Sequence, residues 1–200
     1  ADGNSKYKVR LNNKESMMSA DIIVEYTLPN IFNIRNSEYS QQLNPKLVYA
    51  PSIPVLDPQL NHSRRPLDIV TNFISSAQYR RMAILEDLKH HGLNVKNIVG
   101  IYGEKEINRL YQKTKILINV HQTDHHHTVE EFRILPAIAH GCIVVSEWSP
   151  LQWLVPYAPF VLWCDYKDIS KTVKYATRNY QKIHRHLFCE NNVSRFLSWY

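Results

Sequence analysis

The chain has 200 residues, 44% of them hydrophobic and 21% charged, which suits one domain or two small ones sharing a core. Aromatic residues at 11% exclude a disordered chain, and no apolar run approaches the ~18 residues that cross a bilayer. With 24 Lys and Arg against 18 Asp and Glu the formal charge is +6, modest for a protein built around nucleic acid. Three cysteines, Cys142, Cys164 and Cys189, form an odd and sparse set that predicts a reducing, cytoplasmic setting rather than a disulfide scaffold. The first residues, Ala1 to Lys6, carry neither an initiator Met nor a hydrophobic signal segment, so the chain is expected to belong to something longer.

Short β-branched runs alternate with helical patterns, which predicts an α/β fold: a mainly parallel, Rossmann-like sheet sandwiched by helices. In chain order, Ile22–Glu25 reads as a strand, Ile31–Gln42 as a helix and Leu47–Ala50 as a strand. Four prolines between Pro51 and Pro66 read as an extended linker, dividing a lobe at 1–60 from a main unit at 61–200. Asp68–Phe73 is the next strand, followed by a helix over Ala77–His91 with Ser75 and Ser76 as N-caps and Gly92 as C-cap. Then come strand Asn97–Ile101, helix Glu104–Lys113, strand Ile116–Val120, helix Val129–His140 and strands Cys142–Ser146 and Phe160–Cys164. Several of these strands are apolar without alternation, as expected where both faces are buried.

A last long helix is predicted over Asp168–Phe188. Ile169, Val173, Ala176, Tyr180, Ile183 and Leu187 recur every three or four residues and form one apolar stripe. The other side carries Lys167, Lys171, Lys174, Arg178, Lys182 and Arg185, a solvated face or a grip for an anionic partner.

In an open α/β sheet, ligands bind beyond the C-terminal ends of the strands. Three loops fall there. The first runs from Ile74 through Ser75 and Ser76 to Arg80 and Arg81, where serine hydroxyls, a helix N-terminus and two guanidinium groups offer an anion site. The second holds His121, Asp124 and the histidines at 125–127. Three consecutive histidines point in different directions and no CxxC accompanies them, so no metal is expected. His121, at a strand end, can donate to a phosphate or sugar hydroxyl or act as a general base.

The third loop enters the next helix at Thr128-Val129-Glu130-Glu131-Phe132-Arg133. Thr128 with Glu131 spells a capping box, while Arg133 near a helix N-terminus opposes the helix dipole unless it serves an anion. Pro136 predicts a kink or a short first helical piece. Absent motifs narrow the chemistry. There is no GxGxxG, no Walker A, no Asp-x-Asp for a metal-held diphosphate and no Gly-x-Ser-x-Gly elbow.

The run 115–121 (Lys-Ile-Leu-Ile-Asn-Val-His), followed by Glu130-Glu131-Phe132-Arg133 and by Gly141-Cys142-Ile143-Val144-Val145-Ser146-Glu147, resembles the nucleotide-sugar-binding half of GT-B glycosyltransferases. Asp68–Arg81 resembles the strand, serine turn and Tyr-Arg-Arg helix start that open the same half. Ala20–Glu25 with Leu47–Pro51 looks like the crossing region before it, so the resemblance touches most of residues 20–165. It implies a transferase that moves a sugar from a nucleoside-diphosphate donor to a glycan hydroxyl. Compact domains of this kind resemble those of large algal viruses, which makes UDP-L-rhamnose a candidate donor and the host cytoplasm the expected setting.

What the resemblance implies at single residues is a diphosphate on Arg133, eight positions before Gly141. Pro136 stands where many relatives carry a ribose-binding glutamate, a role left to Glu130 or Glu131. The implied donor-binding set is Ser75, Ser76, Arg80, Arg81, Tyr102, His121, Glu130, Glu131 and Arg133, with Asp21, His121 and Asp124 as catalytic candidates and Glu25 as a further possible base. Trp148 and Trp153 either stack on a base or sugar or fill the core. The expected partners are a nucleotide sugar, a glycan acceptor and other domains of a longer chain, with no metal, no nucleic acid and no membrane span. The alternatives are a non-catalytic nucleotide-sugar-binding half and a basic nucleic-acid-binding domain.

Overall fold

A strand that is apolar on both faces has to be covered on both faces, and that requirement shapes the main unit of this protein. The computed structural model describes residues 14–52, 65–73, 79–122, 129–149 and 151–198. Five strands, β3 (Leu67–Thr71), β4 (Val95–Asn97), β5 (Thr114–Asn119), β6 (Ile143–Glu147) and β7 (Val161–Cys164), form one all-parallel sheet in the order β4-β3-β5-β6-β7. Before them, β1 (Ile23–Glu25) and β2 (Leu47–Tyr49) pair in parallel as a separate two-stranded sheet, with Ile23 opposite Leu47.

The side-chain alternation of the central strands decides which helices lie where. Ile116, Ile118, Ile143 and Val145 point to one face and pack with α4 (Tyr79–His90), α7 (Ile169–Arg178) and α8 (Tyr180–Leu187). Leu117 and Val144 point to the other, against α5 (Glu104–Gln112), α6 (Glu131–Ala139) and α9 (Glu190–Leu197). The result is the expected Rossmann-like sandwich. Counted within this sheet, the strand order is 2-1-3-4-5, so the winding reverses between β3 and β5. Their following helices, α4 and α6, leave to opposite faces and open a crevice at the sheet's C-terminal edge.

Where the structure departs from the sequence expectations, the cause is local. The strand expected at Asn97–Ile101 is shorter and starts two residues earlier, ending at Asn97, whose side chain turns back to accept from the Phe73 N–H (3.0 Å) and the Thr71 hydroxyl (2.8 Å). Gly100, at φ +84, then turns the chain, and Ile98 and Ile101 line a cavity instead of a sheet. The helix expected over Ile31–Gln42 is two pieces, α2 (Leu28–Arg35) and α3 (Ser40–Leu43). It begins early because Thr27 caps the Asn30 N–H and Pro29 occupies the first turn.

The long C-terminal helix breaks at Asn179, whose side-chain amide donates to the Tyr175 carbonyl at 3.0 Å, yet its apolar stripe still packs on the core across the break, Tyr180 only partly buried. α6 runs through Pro136 without interruption. Gly92 ends α4 as expected, at φ +72 with its N–H on the Lys89 carbonyl. α9 and a short α1 (Lys14–Ser19) were not foreseen. The serines at 75 and 76 and most of the proline-rich linker lie outside the described residues.

At the sheet's N-terminal edge, Arg65 stands just before β3, only 7% exposed. Its guanidinium donates to the carbonyls of Tyr111 (3.0 Å), Thr114 (2.7 Å) and His140. Tyr111 closes the last turn of α5 and His140 caps α6, so a buried cation meets the negative ends of two helices in place of a carboxylate. Arg65→Met should therefore lower unfolding free energy by about 3 kcal/mol or more, since three buried carbonyls lose a charged donor. Urea denaturation reads it; a loss under about 1 kcal/mol would show that the carbonyls need no cation.

Candidate functional site

Two carboxylates organise the C-terminal edge. Glu147, the last residue of β6, is 3% exposed and could not sit there unpaired. It takes Arg80 in a two-pronged ion pair, one prong at 2.6 Å, and also accepts the His121 N–H at 3.0 Å. The Arg80 guanidinium lies 3.9 Å over the Tyr166 ring, and the Tyr166 hydroxyl donates to the Arg80 carbonyl at 2.7 Å. Arg80 is thus fastened from three sides.

Glu130, the residue before α6, bridges two cations: one oxygen takes Arg81 at 2.8 Å, the other Arg133. Arg81 is 3% exposed and also donates to the Val120 carbonyl at 2.8 Å, which ties the start of α4 to the end of β5. Both hydrogen bonds of Arg133 run through Nη1, to Glu130 and to Asn119 at 2.7 Å. Its Nε is buried and has no partner. The anion expected beside Arg133 is, inside the protein, the Glu130 carboxylate.

Arg133 lines a cavity of about 300 Å³ in the crevice, with Asn72 from the end of β3, Glu130, and the rings of Tyr26, Tyr102 and Phe132. Asn72 Oδ1 is buried and unpartnered like Arg133 Nε. Arg133 and Asn72 thus each bring a polar side chain with one unpaired, buried atom to the aromatic and aliphatic walls of the cavity, a lining that suits a small polar ligand. Tyr102 is 69% exposed on the loop after β4, and Tyr26 meets Phe132 with ring centroids 4.2 Å apart, joining the small lobe to α6.

Of the residues singled out from sequence, Arg80, Arg81, Tyr102, His121, Glu130, Glu131 and Arg133 gather at this edge. Asp21 does not: it is exposed and precedes β1, at the opposite end from Tyr26. Ser75, Ser76 and Asp124 lie outside the described residues. His121 is 2% exposed, with Nε2 3.1 Å from the Trp148 carbonyl, so Nε2 carries the proton in that contact. Glu25 accepts from the Tyr26 and Thr27 N–H groups and the Asn30 amide, which makes it a support for α2 rather than a free base. Trp153 is 63% exposed and Trp148 half-buried. Among the described residues, no group of three His, Cys, Asp or Glu is arranged to hold a metal ion.

The capping box is corrected. Glu131 is the first helical residue rather than the third, and no side chain caps the helix. Glu131 instead turns inward, 3% exposed, and accepts the Tyr157 hydroxyl at 3.0 Å. Sequence reasoning missed Glu147, Asn119 and Asn72. A charged residue closing a buried apolar strand, as Glu147 does after Ile143–Ser146, was the available signal, since such a charge requires a partner.

Burial pushes the Glu131 carboxyl up to about 7, with nearby Glu25 adding to the rise, while the Tyr157 bond and a backbone bond from Ser52 pull it back. A carboxyl raised on folding binds its proton more tightly in the folded state. Its stabilising contribution is present below about 4.5 and lost as pH rises through about 7. The melting temperature should fall across that window, and Glu131→Gln, which mimics the protonated form, should flatten the fall. Parallel profiles for both proteins would show that Glu131 does not titrate there.

A scan against protein-family models finds no match to this chain, and a search of curated proteins finds none either.

Proposed function

We propose that this protein is a glycosyltransferase that moves a sugar from a nucleoside-diphosphate donor, a UDP-sugar such as UDP-L-rhamnose among the candidates, to a glycan hydroxyl without a metal ion. The observation that carries the reading is Arg133, held through Nη1 by Asn119 and Glu130 and lining a cavity by the start of α6. Preorganised cations at a helix N-terminus suit a diphosphate. In transfer, the acceptor oxygen bonds to the anomeric carbon as the bond to the diphosphate breaks. The nucleoside diphosphate leaves with the electron pair, and the acceptor proton passes to a base. Arg133 stabilises the charge that develops on the leaving group, the task a cation performs elsewhere. Arg80 and Arg81, each committed to a carboxylate, keep the edge rigid and positive. His121 and Asp124 are the base candidates carried over from the sequence; Asp124 lies outside the described residues, and His121 is buried with Nε2 donating to the Trp148 carbonyl.

A second reading, a non-catalytic nucleotide-sugar-binding unit, is favoured by two observations: His121 is buried, and Glu25 is occupied. Turnover of donor with a glycan acceptor separates the two.

Thermal unfolding with UDP, GDP, dTDP or CMP, each with and without EDTA, tests the site. One nucleotide at a hundred times its Kd should add about 2.7 kcal/mol, unaffected by EDTA. Arg133→Ala should keep the fold and bind that nucleotide about ten- to a hundredfold more weakly. No shift with any of the four, or an unchanged affinity in the variant, would remove the assignment.

A further inference from the structure

The cations of the C-terminal helices take no part in the crevice. Lys167, Lys171, Lys174, Arg178, Lys182 and Arg185 follow one another at intervals of four, three, four, four and three residues. That is helical spacing: Lys167 stands in the turn before α7, Lys171, Lys174 and Arg178 follow one side of α7, and Lys182 and Arg185 one side of α8 past the break at Asn179, while Ile169, Val173, Ala176, Ile183 and Leu187 pack into the core. All but Lys174 are exposed. Among the described residues, none of the six makes an ion pair.

An ordinary solvated face mixes both signs of charge. Here the one acid between Lys167 and Leu187 is Asp168, and like charges three or four apart weaken a helix. The other 18 Lys and Arg balance the 18 Asp and Glu, so this row accounts for the whole net charge of +6. At the break between α7 and α8 the row borders an open groove of about 460 Å³ lined by Thr177, Arg178, Asn179, Gln181, Lys182 and Arg185. Tyr175, 56% exposed, stands one turn from both Lys171 and Arg178.

We propose that this row is a docking rail for the phosphodiester backbone of single-stranded nucleic acid. A bilayer spreads its charge in a plane and takes a surface helix by its apolar side. The apolar side here belongs to the core, and the cations stand one residue wide. A single strand presents its charges in a line, and the Tyr175 ring offers a base a stacking surface. Backbone contacts carry no sequence information, so the rail requires no base-reading motif, and the sequence contains none. The row lies on the layer of the sheet opposite α5 and α6, so it does not depend on the nucleotide reading of the crevice.

The test is fluorescence anisotropy of a labelled mixed-sequence single-stranded oligonucleotide with the whole chain. With six phosphates neutralised, log K should fall against log salt with a slope of about −4, a loss of about 300-fold between 50 and 200 mM. The variant Lys171→Gln/Arg178→Gln/Lys182→Gln should flatten that slope by about 2 units. Its melting temperature should hold or rise, because like-charge repulsion is relieved. A slope shallower than about −1, or unchanged binding by the variant, overturns the proposal. Anionic phosphatidylserine vesicles that bind better than the oligonucleotide at the same salt also overturn it, in favour of a membrane surface. The nucleotide-induced thermal shift should be the same in the variant and the parent. Its loss in the variant would overturn the separation of the two sites.

Discussion

A carboxylate shared between two guanidinium groups ties together the C-terminal edge of this sheet. Glu130 accepts Arg81 from the helix that follows β3 and Arg133 from the helix that follows β5. Those helices leave the sheet on opposite faces, so the bridge spans the point where the winding reverses. Without it, the buried Arg81 and the half-buried Arg133 would face each other across the crevice, and burial of unpaired like charge is strongly destabilising. Arg80 with Glu147 repeats the device one strand further along. Together they leave the edge rigid and slightly positive. Arg133 is the member of the set with a buried, unpartnered nitrogen at a cavity.

The two edges of the sheet solve opposite problems. Parallel strands followed by helices place helix N-termini at one edge and helix C-termini at the other. At the C-terminal edge of the strands the helix ends are positive, and acidic side chains moderate the added cations. At the other edge the helix ends are negative, and Arg65 gathers carbonyls from the ends of α5 and α6 and the start of β5 without any acid nearby in its contacts. Ligand chemistry fits the first edge, where charge can be exchanged with an incoming anion. The second is closed and structural.

The sheet itself was largely legible. Continuous apolar runs such as Ile116–Ile118 and Ile143–Val145 admit no arrangement but burial on both faces, and the structure buries them so. The error at β4 is instructive, because Ile98 and Ile101 are apolar for the cavity's sake, and hydrophobicity alone cannot separate a cavity wall from a strand. Glu131 misled for a related reason: spacing fitted a cap, but the carboxyl has a buried tyrosine partner 26 residues away. Pairings of that kind, including Arg80 with Glu147 across 67 residues, are set by the tertiary fold and leave no local pattern. Arg133 stood out in the sequence because its conflict with the helix dipole is local, and the structure answers that conflict with Glu130.

The central claim is that the Arg133 guanidinium receives an anion at the cavity. Two-dimensional NMR of arginine Nε–Hε groups during a UDP titration observes this directly. Arg65 serves as an internal control, since its Nε is also buried and unpartnered but lies at the far edge of the sheet. The account predicts a large, saturable shift of the Arg133 resonance with the Arg65 resonance unmoved. If UDP binds while the Arg133 resonance stays in place, the anion is held elsewhere and the account of this site is wrong.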